Sequence, residues 1–166
     1  MRKRFEQQKK LGVISISEVK LPLKSRDELP PILMALQYIY VTPELNEEVF
    51  RILEEKVQKG KKKTGRYGME LWHILVLSVV RLGLDANYDR LEDFANHHKL
   101  IRQILGVETT FGEGKVFSMQ SIKDNISLLD EETIMQINEV VVSFGHQLVK
   151  KKGEGLHIKV DTYVLE

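Results

Sequence analysis

Apolar residues recur at helical spacing along most of the chain. A first helix is predicted where capping residues 25–28 precede apolar positions three and four residues apart: Leu29, Ile32, Leu33, Leu36, Ile39 and Tyr40. A second is predicted from Thr42 as N-cap and Pro43 at the first helical position, through Leu45, Val49, Ile52 and Leu53 to Gly60. The two segments together predict a helical hairpin.

The segment 69–84 is apolar around most of its helical circumference, which predicts the buried spine of the fold. A turn at 85–87 separates it from a shorter helix with Leu91, Phe94 and Ala95 facing inward. A third short helix carries Leu100, Ile101, Ile104 and Leu105 and ends at Gly106. Three helices joined by tight connections are compatible with a helix-turn-helix-like part.

Two more helices are predicted, one opened by Ser118 and one capped by Asp130. Lys150, Lys151 and Lys152 complement the negative end of the last helix. Residues 156–165 then change to alternating apolar and polar positions rich in β-branched types, which predicts a strand. A lone strand leaves its backbone groups unpaired, so either residues 13–23 pair with it or its partners lie beyond residue 166. We favour the second alternative.

Composition excludes several classes of protein. The 166 residues are 42% hydrophobic and include no cysteine, which excludes disulfide scaffolds, thiolate zinc sites and cysteine nucleophiles. No apolar run approaches the roughly 20 residues of a membrane span. The basic start is not followed by the apolar region of a signal peptide. We therefore expect a cytoplasmic protein with no membrane partner.

The net charge of +1 conceals a division along the chain. Residues 1–66 hold 15 basic and 9 acidic residues, whereas residues 67–149 hold 6 and 12. Within the first part, basic residues concentrate at 1–10 and at 59–66, and the second cluster contains no acid. Such clusters suit phosphate backbones, although lysine-rich loops also serve solubility. Charge alone favours the solvated-loop interpretation.

The candidate catalytic groups are sparse. The histidines 73, 97, 98, 146 and 157 include no pair at i, i+4, so polar surface or core-edge roles are favoured over a metal site. Most carboxylates lie on predicted solvated faces or caps. Asp161 differs, because an acid in a mostly apolar strand is held rigidly, as the first ligand of a two-metal phosphoryl-transfer site would be. One carboxylate alone cannot hold two ions.

Several motifs follow each other along the chain, from MRKRFEQQ through LKSRDELPPILMALQYIY and PELNEEVFRILEEKV to SIKDNISLLDEE and KVDTYVLE. In this order they resemble the N-terminal part of bacterial insertion-sequence transposases of the DDE class, in the insertion-sequence-five-like group. The most family-like part is 65–106, with a Gly-Arg start, a long apolar helix, Asp89-Arg90-Leu91 and a closing Leu105-Gly106. Tyr67 departs from the pattern, since relatives often have proline there.

The resemblance implies a mainly α fold class. It divides the chain into a basic, extended N-terminal arm (1–24), a helical transposase N-terminal domain (25–152) and the first strand of a truncated RNase H-like catalytic domain (153–166). Asp161 matches the first of three acids that bind a divalent metal, Mg²⁺, in that family. Because the other two acids are absent, we expect no enzymatic activity and no cofactor in these 166 residues.

The implied function is binding of double-stranded DNA, the terminal inverted repeats of a mobile element, in a bacterial, nucleoid-associated setting. The predicted phosphate contacts are Lys61, Lys62, Lys63 and Arg66, with further DNA-binding residues Arg2, Lys3, Arg4 and Arg90. The short helices after Asp85 are predicted to lie near the groove. The implied protein partners are a second copy of the chain or a full-length transposase. The competing hypothesis is a helical interaction module that dimerises through Trp72 and the apolar spine without binding DNA.

Overall fold

The computed structural model describes residues 2–6, 10–59, 68–112 and 114–151, without the side chains of 148–151. A short 3₁₀ turn, Ile16–Glu18, precedes seven helices: α1 (Leu29–Val41), α2 (Pro43–Gln58), α3 (Leu71–Gly83), α4 (Tyr88–His97), α5 (Lys99–Leu105), α6 (Met119–Ile126) and α7 (Glu131–Lys151). The mainly α class is confirmed over this part of the chain, which contains no β-strand. The strand predicted at 156–165, with Asp161, lies outside the described residues. Residues 13–23 contain the 3₁₀ turn instead of a strand.

The predicted hairpin is formed by α1 and α2, which are separated by Thr42 alone. The α1 start follows the capping residues, because Asp27 Oδ1 accepts a hydrogen bond from the Leu29 amide at 3.1 Å. Pro43 occupies the first turn of α2, where its missing amide leaves no intrahelical bond unmade. Thr42 has the extended backbone of an N-cap, but its side chain accepts no capping hydrogen bond.

α3 is the buried spine that its composition predicts. Nine of its residues are buried: Leu71, Trp72, His73, Ile74, Leu75, Val76, Leu77, Ser78 and Val80. It contacts α1, α2, α4, α5 and α6, so apolar side chains are needed on nearly every side. The Trp72 indole is 1% exposed, and its Nε1 donates to the Ile104 carbonyl at 2.8 Å. The polar end of this large side chain is therefore satisfied inside the core.

The N-terminal residues 2–6 pack into the helical body. The carbonyls of Lys3 and Arg4 accept hydrogen bonds at 2.9 Å from the amides of Leu71 and Trp72. These amides open α3, whose N-cap position has no side-chain cap, so the N-terminal segment satisfies donors that the helix cannot satisfy itself. The Phe5 ring lies 5.3 Å and 5.6 Å from two core aromatic rings, those of Tyr40 and Phe50.

The short helices are held by side-chain caps and by the hydrogen bonds of Asn96 to the backbone of Phe117. Asn87 caps α4, and the single residue His98 separates α4 from α5. Gly106 ends α5 with φ +70°, a left-handed conformation that favours glycine. Asn96 bonds both the amide and the carbonyl of Phe117 at 2.8 Å, which fixes the chain before Ser118 caps α6.

α7 lies on the outside of the bundle against α2. It begins beside the end of α2, where Lys56 forms an ion pair with Asp130. Asp130 also accepts the Thr133 amide at 3.0 Å, as the predicted N-cap should. The hydrogen bond from Lys56, followed by those from Thr133, lowers the pKa of Asp130. Since α2 is its main neighbour, α7 runs back along α2.

Candidate nucleic-acid interface

The lysine-rich segment 59–66 is the main candidate site, and its two flanks meet at one residue. Lys61, Lys62, Lys63 and Arg66 lie outside the described residues. On one flank, Gln58 Nε2 donates to the Arg2 carbonyl at 3.3 Å. On the other, Arg2 Nη1 donates to the Met69 carbonyl at 2.9 Å, and a Cβ added at Gly68 would come within 2.6 Å of Arg2 Nη1. Arg2 therefore joins the described residues that flank this segment.

Arg2 also connects this junction to α6. Its Nη1 donates to the Asn125 side-chain carbonyl, and Asn125 is itself held by a hydrogen bond from its Nδ2 to the Ser121 carbonyl. Burial lowers the pKa of the Arg2 guanidinium below its ordinary value. Contacts of this kind position the ends of the segment. A contact of Arg2 with DNA stays a prediction.

Arg4 forms ion pairs with two glutamates, whereas the Lys3 side chain is more exposed. Arg4 lies between two glutamates of α2, with Nη1 2.6 Å from Glu47 Oε2 and Nε 2.7 Å from Glu54 Oε1. The hydrogen bonds that Arg4 donates to Glu54 and Glu47 raise the pKa of Arg4. The Lys3 side chain is 55% exposed, with its ammonium 4.0 Å from Glu6. Of these two predicted contacts, the Lys3 ammonium is the more accessible to a phosphate.

Arg90 lies in the first turn of α4, exposed, with its guanidinium carbon 5.0 Å from the centroid of the Phe94 ring. Nearby, Arg81 and Lys123 both approach the Tyr88 ring, at 4.6 Å and 5.5 Å from its centroid. None of these three cations forms a salt bridge with a carboxylate of the described residues. The same surface also carries acidic side chains, exposed at Asp85, Asp89, Asp93 and Asp124, so it is mixed in charge.

The pairing of Arg81 with Lys123 was not predicted from the sequence. The two residues are 42 positions apart, on α3 and α6, and only the packing of those helices places both on one tyrosine ring. The cation–π geometry holds both side chains over the ring without neutralising either charge. In the sequence, the one local signal of this arrangement is the spacing of Arg81 and Tyr88 across the α3–α4 turn, which allows the two side chains to meet.

A buried polar cluster surrounds His73 on α3. The ring Nε2 is 3.0 Å from the Leu105 carbonyl, and the Lys115 ammonium is 3.3 Å from Nδ1. Lys115 must donate, so Nδ1 accepts and Nε2 carries the proton that is donated to Leu105. Burial lowers the pKa of His73 to about 3, and the charges of Lys115 and Lys10 act in the same direction. Glu70, 3.5 Å from Nε2 and 3.8 Å from Lys115, is the nearest acid.

The depressed pKa of His73 predicts a loss of stability in mild acid. The unfolded chain takes up the proton near pH 6.5 and the folded chain only near pH 3, so the contribution of His73 is complete above pH 6.5 and falls as the pH drops through that window. Between pH 7.5 and pH 4.5 the loss from this group is about 2.5 kcal/mol. Urea unfolding of the full chain at both pH values measures it.

The matched control for this prediction is His73→Gln, which keeps a side-chain donor for Leu105 and cannot titrate. The variant should be less stable than the parent at pH 7.5 but should lose about 2.5 kcal/mol less on acidification. If acidification lowers the free energy of unfolding equally in the two proteins, His73 is not neutral and buried in the folded state.

Arg102 forms a second internal cluster, at the centre of the short helices. It is 8% exposed and donates to Glu108 Oε2 at 2.7 Å. Its Nη1 and Nη2 donate to backbone carbonyls from three segments, those of Ala95, Lys115 and Val107. The guanidinium fork thus ties α4 to the loop between α5 and α6. This is a structural role.

No ligand set for a metal is present among the described residues, where no group of three histidine or acidic side chains converges. Asp161, the predicted first metal ligand, lies outside them, so the Mg²⁺ expectation stays a prediction. Within the same ranges, no helix is long and apolar enough to cross a membrane. Comparisons with protein-family models, curated proteins and solved structures found no match to this chain.

Proposed function

We propose that this chain is a DNA-binding N-terminal portion of a transposase that binds the ends of its mobile element. The observation that supports the proposal is that Arg2 bonds to Gln58 and Met69, the residues on either side of a segment, 59–66, that holds five cations and no acid. A cationic segment on a fixed base loses less conformational freedom on binding than a free tail does. Phosphate contacts from such a segment provide affinity and register, and no sequence readout.

Arg2 also connects the flanks of this segment to one helix. Arg2 bonds to Asn125 of α6, so a duplex held by residues 61–66 would approach the end of the bundle where α6 lies. The outward face of α6 carries exposed Gln120 and Lys123, side chains that can hydrogen-bond to base edges or phosphates. The helix-turn-helix-like part, α4 with its neighbours, would be close to the groove in this arrangement.

Strand cleavage is not part of the proposal. Two-metal catalysis needs several carboxylates around the ions, and the resemblance assigns one acid of these 166 residues, Asp161, to that set. Binding of DNA is the activity that these residues can supply by themselves.

The proposal is tested by salt-titrated binding of the full chain to a labelled DNA duplex. Changing Lys61, Lys62, Lys63 and Arg66 together to alanine should weaken binding at low salt. The slope of log affinity against log salt should fall in magnitude by about 3–4, since each lost phosphate contact removes roughly 0.9. The binding lines of parent and variant should converge towards high salt, where counterion release no longer contributes.

A control variant removes the same number of charges elsewhere. Lys20, Lys24, Arg26 and Lys99 are exposed, and their change to alanine should alter the slope by less than about 1. If the two quadruple variants reduce the slope equally, the binding is a general charge effect and the assignment to residues 61–66 is wrong. If neither the parent nor the control binds DNA at low salt, the proposed function itself is wrong.

The alternative, an interaction module without DNA binding, needs a surface other than Trp72 and the spine. Trp72 and most of α3 are buried within the chain, so they are not available to a second copy in this fold. That element of the competing hypothesis is wrong. An apolar surface that remains accessible is found on α7.

A further inference from the structure

Two cations share one aromatic ring where α3, α4 and α6 meet. The guanidinium carbon of Arg81 lies 4.6 Å, and the ammonium of Lys123 lies 5.5 Å, from the centroid of the Tyr88 ring. We call Arg81 and Lys123 the Tyr88 cation pair. Their charges are separated by no more than about one Debye length, about 10 Å in 0.1 M salt, so they repel each other. The ring face attracts both cations without neutralising either.

The Tyr88 cation pair has no carboxylate counter-charge among the described residues. No carboxylate oxygen there lies within 4.0 Å of either cation, whereas Arg4 and Arg102 each form an ion pair with glutamate. Asp124, which follows Lys123 in the chain, accepts a hydrogen bond from Gln120 Nε2 at 2.7 Å instead. Both positive charges therefore remain available to an anion from outside the chain.

Arg81 also carries an unsatisfied donor. Its Nε is enclosed by protein atoms and has no hydrogen-bond partner in the part of the chain that the structure describes. The Oγ of Ser78, a residue that is 2% exposed and lies three positions earlier on α3, is unpaired in the same way. Residues at this spacing share one helix face, so both unsatisfied groups lie on one side of α3 near its end. Buried polar groups normally have a partner, so this guanidinium can still gain an acceptor.

A phosphate group has the chemistry that this arrangement lacks. Guanidinium binds phosphate oxygens through directed, charge-assisted hydrogen bonds, and an ammonium adds a point charge. A phosphate between the two cations offers acceptors to Arg81 and relieves the repulsion between Arg81 and Lys123. Because the Tyr88 ring already holds both side chains, less side-chain freedom is lost when the anion binds. Lys123 is exposed and Arg81 is half-buried, so the anion approaches from the solvent side.

We propose that the Tyr88 cation pair binds a backbone phosphate of double-stranded DNA. This inference rests on the proposed function, and it adds a contact made by described residues outside the segment 59–66. Lys123 lies two positions before Asn125 on α6, and Asn125 is the residue to which Arg2 bonds. The pair and the flanks of the basic segment are therefore connected to the same helix. Two phosphate contacts fix the orientation of a duplex, whereas a single contact leaves it free to turn.

NMR of the arginine Nε–Hε signals in the isotope-labelled full chain tests the contact directly. The Arg81 signal, assigned by its loss in Arg81→Lys, should move when a DNA duplex is added at low salt and return as salt is raised. The Arg102 signal is the internal control and should stay in place, because its guanidinium already donates to Glu108 and to three carbonyls. An Arg81 signal that stays in place while DNA is bound would overturn the proposal. A shift with polyglutamate and none with the duplex would also overturn it, since the pair would then bind an acidic peptide.

Salt-titrated DNA binding by variants of the pair measures its contribution. Arg81→Gln combined with Lys123→Gln should reduce the slope of log affinity against log salt by about 1, since one phosphate contact accounts for roughly 0.9, and should weaken binding at low salt by about tenfold. Lys10→Gln combined with Lys20→Gln removes two exposed charges elsewhere and should change the slope by less than about 0.5. Tyr88→Phe keeps the ring and should bind as the parent does, whereas Tyr88→Leu should weaken binding by about two- to fivefold.

The outcomes separate this inference from the proposed function. If the parent binds DNA and the Arg81 and Lys123 variant keeps the slope of the control, the inference is wrong and the proposed function stands. If the parent does not bind DNA at low salt, both are wrong. Thermal unfolding followed by circular dichroism shows whether each variant is folded at the assay temperature, and the NMR measurement on the parent chain needs no variant to fold.

Discussion

Replacing Arg102 with methionine is expected to lower the free energy of unfolding by about 3–5 kcal/mol. Methionine fills a similar volume, but it leaves Glu108 without its partner and three backbone carbonyls, those of Ala95, Val107 and Lys115, without donors. An unsatisfied buried polar group costs about 1–3 kcal/mol. Urea unfolding at pH 7.5 provides the measurement.

Two control variants separate the geometry of Arg102 from its charge. Arg102→Lys keeps the charge but loses the planar guanidinium that reaches several acceptors. Its free energy of unfolding should therefore lie between those of the parent and of Arg102→Met. Arg26→Met removes an exposed arginine and should change the free energy of unfolding by less than about 0.5 kcal/mol. A change below about 1 kcal/mol for Arg102→Met would show that the carbonyls find other donors and that Arg102 does not hold the short helices together.

Deleting residues 1–5 is expected to cost about 3 kcal/mol of folding free energy. One part comes from the partly buried Phe5 ring, which contributes less than the roughly 3–5 kcal/mol typical of a fully buried phenylalanine. The deletion also removes the Lys3 and Arg4 carbonyls that accept the first amides of α3. Urea unfolding of the shortened and full chains, monitored by the helical circular dichroism signal, gives the difference.

Lys3→Gln is the control for the deletion, because it removes an exposed N-terminal charge and keeps the backbone in place. Its effect on stability should be within about 0.5 kcal/mol. If the shortened chain is as stable as the full one, residues 2–5 belong to a separate basic arm, as the sequence predicted for residues 1–24. If it unfolds as expected, a DNA-binding defect in an Arg2 or Arg4 variant has to be measured on protein shown to be folded.

The helices were largely predictable because their signals are local. Pro43, Ser118 and Asp130 lie at or next to helix starts in the structure, as predicted, and the apolar positions of α3 indicated its burial correctly. Capping and periodicity depend on residues within about one turn of each other, so a single sequence carries this information. The single-residue connection between α4 and α5 was less visible, since His98 is not a typical N-cap residue.

The candidate site was predictable in part. The acid-free cluster at 59–66 is visible in the sequence, but its attachment to Arg2 is not, because the hydrogen bond from Arg2 to Met69 spans 67 residues. Likewise, the sequence presented Arg4 as one more basic residue, whereas the fold brings Glu47 and Glu54 from α2 to its guanidinium. A count of charges cannot distinguish a cation that is available to DNA from one that is held by a distant carboxylate.

The sequence by itself therefore determined the mainly helical class, the starts of several helices, the burial of α3 and the division of charge between the two halves. The tertiary structure alone decided that the N-terminal segment caps α3, that Arg102 and His73 are internal, and that Arg81 and Lys123 share one tyrosine ring. The physical reason is the distance along the sequence between the residues that interact. Helix formation follows from interactions between residues a few positions apart, whereas the partner of a buried charge is set by which helices pack together.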